Sequence, residues 1–137
     1  MKELLIQLRA MYLFSHNAHH LVKSQSFFSD HEFFGEVYSQ LATDYDDVAE
    51  RIVGTLGEDA LNLQTLMSSV IAKLSQAPSV SQKNNRVFFE YQLQQEQVLC
   101  NLIKQIEPTV SPGTQQLITE ICNKSESRQY KIKQRLK

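Results

Sequence analysis

The sequence predicts an all-α protein, a four-helix bundle with one long crossover. Three observations predict it. The 137 residues include only four Gly and three Pro, so few positions interrupt a helix. Apolar residues recur at steps of three and four through four long stretches, the period of a helix with one buried face. About 25 residues separate the second stretch from the third, too many for a simple hairpin between neighbouring helices.

The first helix spans the N-terminus to about Val22, with Leu4, Leu5, Leu8, Met11 and Tyr12 on its apolar side. Ser24, Gln25 and Ser26 interrupt the pattern. Ser29 or Asp30 is placed to cap the second helix, His31 to about Leu56, whose seam is Phe34, Tyr38, Leu41, Tyr45, Val48, Ile52 and Leu56. Gly57 is placed to stop it. Asp59 to Ser75 reads as one short or broken helix in the crossover, carrying Leu61, Leu63, Leu66, Met67, Val70, Ile71 and Leu74 and ending at Ala77-Pro78-Ser79. The third long helix runs from about Ser81 to Ile106. Pro108 and Ser111-Pro112-Gly113 form the next turn, and the fourth helix runs from near Thr114 to the C-terminus.

Length and an apolar content of 42% fit one folded domain over residues 1–137. With 14 basic and 15 acidic residues the net charge is -1, so no global excess points to nucleic acid. No apolar run approaches the roughly 20 residues that span a bilayer. The amphipathic N-terminus holds Glu3 and Arg9 within its pattern and does not read as a signal peptide, so the expected compartment is the cytoplasm. Cys100 and Cys122 lie in separate helical patterns with no metal or redox spacing and read as buried thiols.

His16, His19, His20 and His31 precede a run of acids, Asp44, Asp46, Asp47 and Glu50. Imidazole and carboxylate together suit iron, zinc or manganese. Asp46 and Glu50 are one helical turn apart and can chelate one ion. His31 lies 15 residues before Asp46, about 22 Å along a straight helix at ~1.5 Å per residue. It cannot share an ion with Asp46 or Glu50 of its own chain. His19, at the end of the first helix, can approach His31. The chain thus carries two half-sites, and a twofold axis with antiparallel second helices would join them into two equal sites. Plainer roles fit the same residues: acids in mid-helix form a solvated face, and histidines near helix ends cap carbonyls. His16 and His20, also one turn apart, could hold zinc at the surface.

The stretch HHLVKSQSFFSDHEFFGEVYSQLATDYDDVAERIVGTLG, from His19 to Gly57, resembles the signature of the Dps family, small ferritins that protect DNA during starvation. His19 matches the family's first histidine, His31-Glu32 its His-Glu, Phe27-Phe28 its aromatic position, and Asp46-Asp47-Val48-Ala49-Glu50-Arg51 its Asp-x-x-Ala-Glu-Arg motif, without a gap. The resemblance implies a ferritin-like bundle assembled as a homododecamer from twofold dimers. It implies metal ligands His19 and His31 from one subunit and Asp46 and Glu50 from another. It further implies Fe(II) oxidation by hydrogen peroxide or dioxygen and ferric storage in a hollow shell.

Three positions depart from the family. Gly35 stands one turn after His31, where the family carries Asp, so a site here has fewer carboxylates. The alternative is therefore a shell or helical scaffold with weak or no ferroxidase activity, or one that compacts DNA. His20 replaces the family's Trp, and Ser24 its Gly. The N-terminus is too short for a lysine-rich DNA-binding tail. Lys131, Lys133, Arg135 and Lys137 spread around a helix end, where positive charge is ordinary dipole compensation, so DNA binding is not favoured. The Glu-x-x-His pairs of classical ferritins are missing, which argues against a di-iron centre inside one subunit. Arg51 is placed to orient an acid, and Tyr38 and Tyr45 are expected in the core.

Overall fold

A computed structural model of the chain describes residues 1–78, 80 and 84–137. Five α-helices account for most of it: α1 Lys2–Leu21, α2 Phe27–Leu56, α3 Leu63–Lys73, α4 Arg86–Ile106 and α5 Pro112–Leu136. Short 3-10 turns flank α3 and precede α5. No strand occurs among the described residues.

The long helices pack as two hairpins. α1 lies against α2 and α4 against α5, while α1 also meets α4 and α2 meets α5. α2 and α4 are thus diagonal, and the crossover must return the chain between them, with α3 lying on α1. Asn85, just before α4, bonds the backbone of Lys23, just after α1. The crossover therefore brings the chain back to the end where α2 began, and α4 runs parallel to α2. This is the ferritin-like arrangement.

Local chemistry explains the ends. Gly57 takes φ 89°, the left-handed region that glycine occupies without strain, and closes α2. Asn62 caps α3 by accepting from the Thr65 N–H at 3.1 Å. Ser111 caps α5 by accepting from Thr114, with Pro112 beginning the helix, where its missing N–H costs nothing. Ser24 also sits at a positive φ, 72°; this is the position where the Dps signature has Gly, and the backbone geometry explains that preference.

Some expected boundaries move. α2 begins at Phe27, not His31, and neither Ser29 nor Asp30 caps it; Ser26 occupies the N-cap position without a side-chain cap bond. Asp30 is buried instead, bonded by Asn85, Ser26 and Arg135. The expected start of the third long helix at Ser81, like the Ser79 stop, lies outside the described residues. Asn84 and Asn85 are not helical, and α4 begins at Arg86. The crossover helix is broken, as α3 between two 3-10 turns.

Two apolar clusters form the core. One joins Leu4, Leu8, Leu41, Val48, Ile52, Leu99 and Ile118. The other, nearer the α1–α2 turn, joins Phe14, Phe34, Phe88, Phe89 and Ile132. Tyr45 is buried as expected, with the Arg9 guanidinium 3.7 Å from its ring centre. Leu56, expected on the seam, is 70% exposed. A charged network crosses this interior. Arg128 grips buried Glu96 with two bonds of 2.7 and 2.8 Å, and Ser125 and Gln92 also donate to that carboxylate. Burying an acid is tolerable here because its lone pairs are filled.

Candidate metal centre

The α1–α2 hairpin sets the histidines. His19 sits in the last turn of α1, His31 in the second turn of α2, and the intervening turn stacks their rings 3.6 Å apart at 18°. Each ring also bonds the other's main chain: His19 Nδ1 lies 2.6 Å from the His31 carbonyl, and His31 Nδ1 lies 2.7 Å from the His19 carbonyl. A carbonyl only accepts, so both Nδ1 atoms carry hydrogen. In the neutral ring that leaves the lone pair on Nε2, the arrangement by which histidine ligands are commonly oriented. The two rings are thus fixed and of one tautomer.

Gly35 belongs to this arrangement. A Cβ there would stand 3.1 Å from His19 Cε1 and 3.2 Å from Nδ1. The missing side chain gives the His19 ring its place. Tyr38, expected in the core, is half-buried and touches the cluster, its ring 5.3 Å from that of His19 and 4.5 Å from that of His16. His16 and His20 are neighbours on α1, with ring centres 5.1 Å apart.

The turn is anchored from outside. Asn85 accepts from the Lys23 N–H at 2.9 Å and donates to the Lys23 carbonyl at 2.7 Å. It also donates to Asp30, which Arg135 of α5 grips with two bonds of 3.0 Å. Burial alone would raise the Asp30 carboxyl, but the bonds from Arg135, Ser26 and Asn85 outweigh it and hold the pKa below the ordinary value.

Asp46 and Glu50 lie on the exposed side of α2. Asp44, although next in sequence, is fully buried and paired with Lys124, so it is a structural acid. Burial raises its pKa in spite of that partner. Arg51 donates to Thr114 of α5 at 3.0 Å. This bond ties α2 to the start of α5.

The structure therefore brings His19 and His31 together and keeps Asp46 and Glu50 apart from them. α2 is one continuous helix of 30 residues, and the separation of about 22 Å along it stands. Among the described residues, the only group of three or more His, Cys, Asp or Glu side chains close enough to share an ion is Cys100, Cys122 and Glu126. That cluster corrects the reading of the cysteines as unrelated buried thiols: both are half-buried and adjacent. A hairpin rule would have found them, since both lie 11 residues from Ser111 at the α4–α5 turn.

No family model matches the chain. It is 28% identical over 138 aligned positions to a nutrient stress-induced DNA-binding protein of Nostoc sp., covering 94% of this chain and 71% of that protein. It is 41% identical over 49 residues to DNA protection during starvation protein 2 of Bacillus anthracis, covering 36% of this chain and 34% of that protein. The solved structure of a Listeria innocua Dps mutant superposes with a TM-score of 0.84 at 20% identity, covering 98% of this chain and 94% of that one. That last likeness is one of fold.

Proposed function

We propose, for a chain that is Dps-like in sequence and in fold, that identical subunits pair about a twofold axis to bind and oxidise Fe(II) between them. His19 and His31 of one subunit would face Asp46 and Glu50 of its partner. The supporting observation is the single unbroken helix α2, which carries His31, bonded to His19 of α1, near one end and the acidic pair too far along to meet them. A donor set of two imidazoles and two carboxylates closes only between chains.

The donors suit the substrate. Neutral imidazole nitrogens and carboxylate oxygens bind Fe(II), and the added negative charge favours the ferric product. Two ferrous ions reduce one hydrogen peroxide to two waters with uptake of two protons, which removes both reactants that would otherwise make hydroxyl radical. Dioxygen is the other oxidant. Zinc or manganese suits the same donors and would compete with iron. Glu50, exposed and one turn beyond Asp46, has the freedom to bridge two ions.

Ferric product would be kept inside a hollow cytoplasmic shell, a dodecamer by analogy with the family. Exposed apolar side chains support burial against other copies: Phe28 at the start of α2, Leu56 at its end, and Leu63 and Ile71 on α3. DNA binding is not favoured. Of the basic C-terminal residues, Arg135 is committed to Asp30, which weakens any positive stripe.

Gly35 favours a second reading, a shell of the same kind with slow oxidation because one carboxylate is missing. Both readings are tested by adding Fe(II) to metal-free protein, following ferric absorbance with and without peroxide, and weighing the particle. A large particle that oxidises iron faster than buffer, and loses that rate in the Asp46→Ala/Glu50→Ala variant while staying folded, supports the first. A large particle without acceleration leaves the second. A monomer or simple dimer excludes both, and unchanged kinetics in the variant refute the acidic half-site.

A further inference from the structure

We propose that Cys100 and Cys122 form a peroxide-driven, reversible disulfide that joins α4 to α5 within one subunit. The two sulfurs stand 2.6 Å apart. Two thiolates sharing one tetrahedral zinc would stand roughly 3.8 Å apart, given Zn–S bonds of about 2.3 Å. The approach is shorter than that spacing and leaves only about 0.6 Å to a covalent S–S bond. The helices hold this geometry. Cys100 also lies 3.7 Å from the Cys122 carbonyl and from the Gln129 side-chain nitrogen, and the Glu96–Ser125–Arg128 network lies beside it on the same two helices.

Both thiols are half-buried. A surface hollow lined by Lys104, Thr119, Asn123 and Glu126 opens onto them, wide enough for a small oxidant. Burial, the Cys100 sulfur and the charges of Glu126 and Glu96 push the Cys122 thiol up, so the resting pair keeps a proton between its sulfurs. One thiol gives up its proton and attacks hydrogen peroxide, breaking its O–O bond, to give a sulfenic acid and hydroxide, which takes that proton to become water. The other sulfur then displaces the sulfenic oxygen, its proton leaving with that oxygen as a second water. Two thiols and one peroxide become one disulfide and two waters. The closed bond staples the α4–α5 hairpin and consumes peroxide without iron.

The test treats the iron-free, chelator-washed assembly with hydrogen peroxide, removes the peroxide with catalase, and then denatures and alkylates it. Intact mass should show the wild-type chain about 2 Da lighter with no alkylated thiol, returning to two alkylated thiols after dithiothreitol. Peptide mapping should place the link between residues 100 and 122. In Cys122→Ser and in Cys100→Ser the remaining thiol should form no intramolecular disulfide and should stop at a sulfenic acid that dimedone traps, or stay alkylatable. Thermal melting of the wild type should rise by several degrees on oxidation and not in either variant. Two alkylated thiols in treated wild type, a disulfide between subunits, or separate over-oxidation of each sulfur would overturn the proposal.

Discussion

Gly35 sets how closely α1 and α2 approach at the histidines. Replacing Gly by Ala inside a helix ordinarily adds about 0.5–1 kcal/mol of stability. Here the new Cβ would press on the His19 ring at 3.1 Å. Gly35→Ala should therefore change unfolding free energy by less than about 1 kcal/mol while slowing Fe(II) oxidation several-fold. Stopped-flow kinetics beside urea denaturation would check it, and unchanged kinetics would contradict the role given to Gly35. An Asp at this position carries the same Cβ, so restoring the family's carboxylate would also require His19 to move. Asp30 acts on stability. Its folded-state pKa is depressed, so its contribution is present above the unfolded value near 3.8 and is lost as pH falls through the folded value. Asp30→Asn should cost about 1.5–3 kcal/mol at pH 7, the range for bonds to a charged group. Its deficit from wild type should shrink below about pH 4; denaturation curves at pH 7 and pH 3 show whether it does. Asp44 has the opposite sign. Its raised pKa means that ionisation costs the folded state, so its contribution is present below the unfolded value and fades as pH rises through the folded one.

At the scale of helices, the α4–α5 hairpin carries the most buried ion pair among the described residues, Arg128 with Glu96. Breaking such a pair from one side strands a charge in the interior and costs about 3–5 kcal/mol. Arg128→Met should show a loss of that size, and Glu96→Leu/Arg128→Met should recover a substantial part of it. A single-variant cost near the level of a surface ion pair, about 1 kcal/mol or less, would show that the network is solvated. The long helices and the crossover were legible because their apolar residues repeat at helical spacing and Gly57 and Ser111-Pro112-Gly113 punctuate them. The start of α2 was less so. Asp30 looks like a cap, yet its carboxylate goes to Asn85 and Arg135, partners 55 and 105 residues away, and no local pattern announces such a bond. The partners of Arg51 and Asp44 were hidden for the same reason, because Thr114 and Lys124 reach them from α5. The His19–His31 contact was legible because both flank one short turn. The Cys100–Cys122 contact was equally symmetric about its turn, but 22 residues of separation hid it from a search for local spacing.

At the scale of the whole molecule, the proposed function makes one chain half of two sites. α2 is long enough to carry His31, stacked on His19 of α1, near one end and an acidic pair beyond its middle, and it runs unbroken between them. A twofold contact along α2 would join each half to its complement and cover apolar surface at both of its ends, where Phe28 and Leu56 stand exposed. Assembly is then a condition of the chemistry, and damage to either half should be repairable by a subunit damaged only in the other. The direct measurement mixes two inactive proteins, His19→Ala/His31→Ala and Asp46→Ala/Glu50→Ala, unfolded together and reassembled. Random pairing makes half of the dimers mixed, each with one intact site of two, so Fe(II) oxidation should return to about a quarter of the wild-type rate. A reassembled mixture of normal particle mass that stays as inactive as its parents would contradict the shared site.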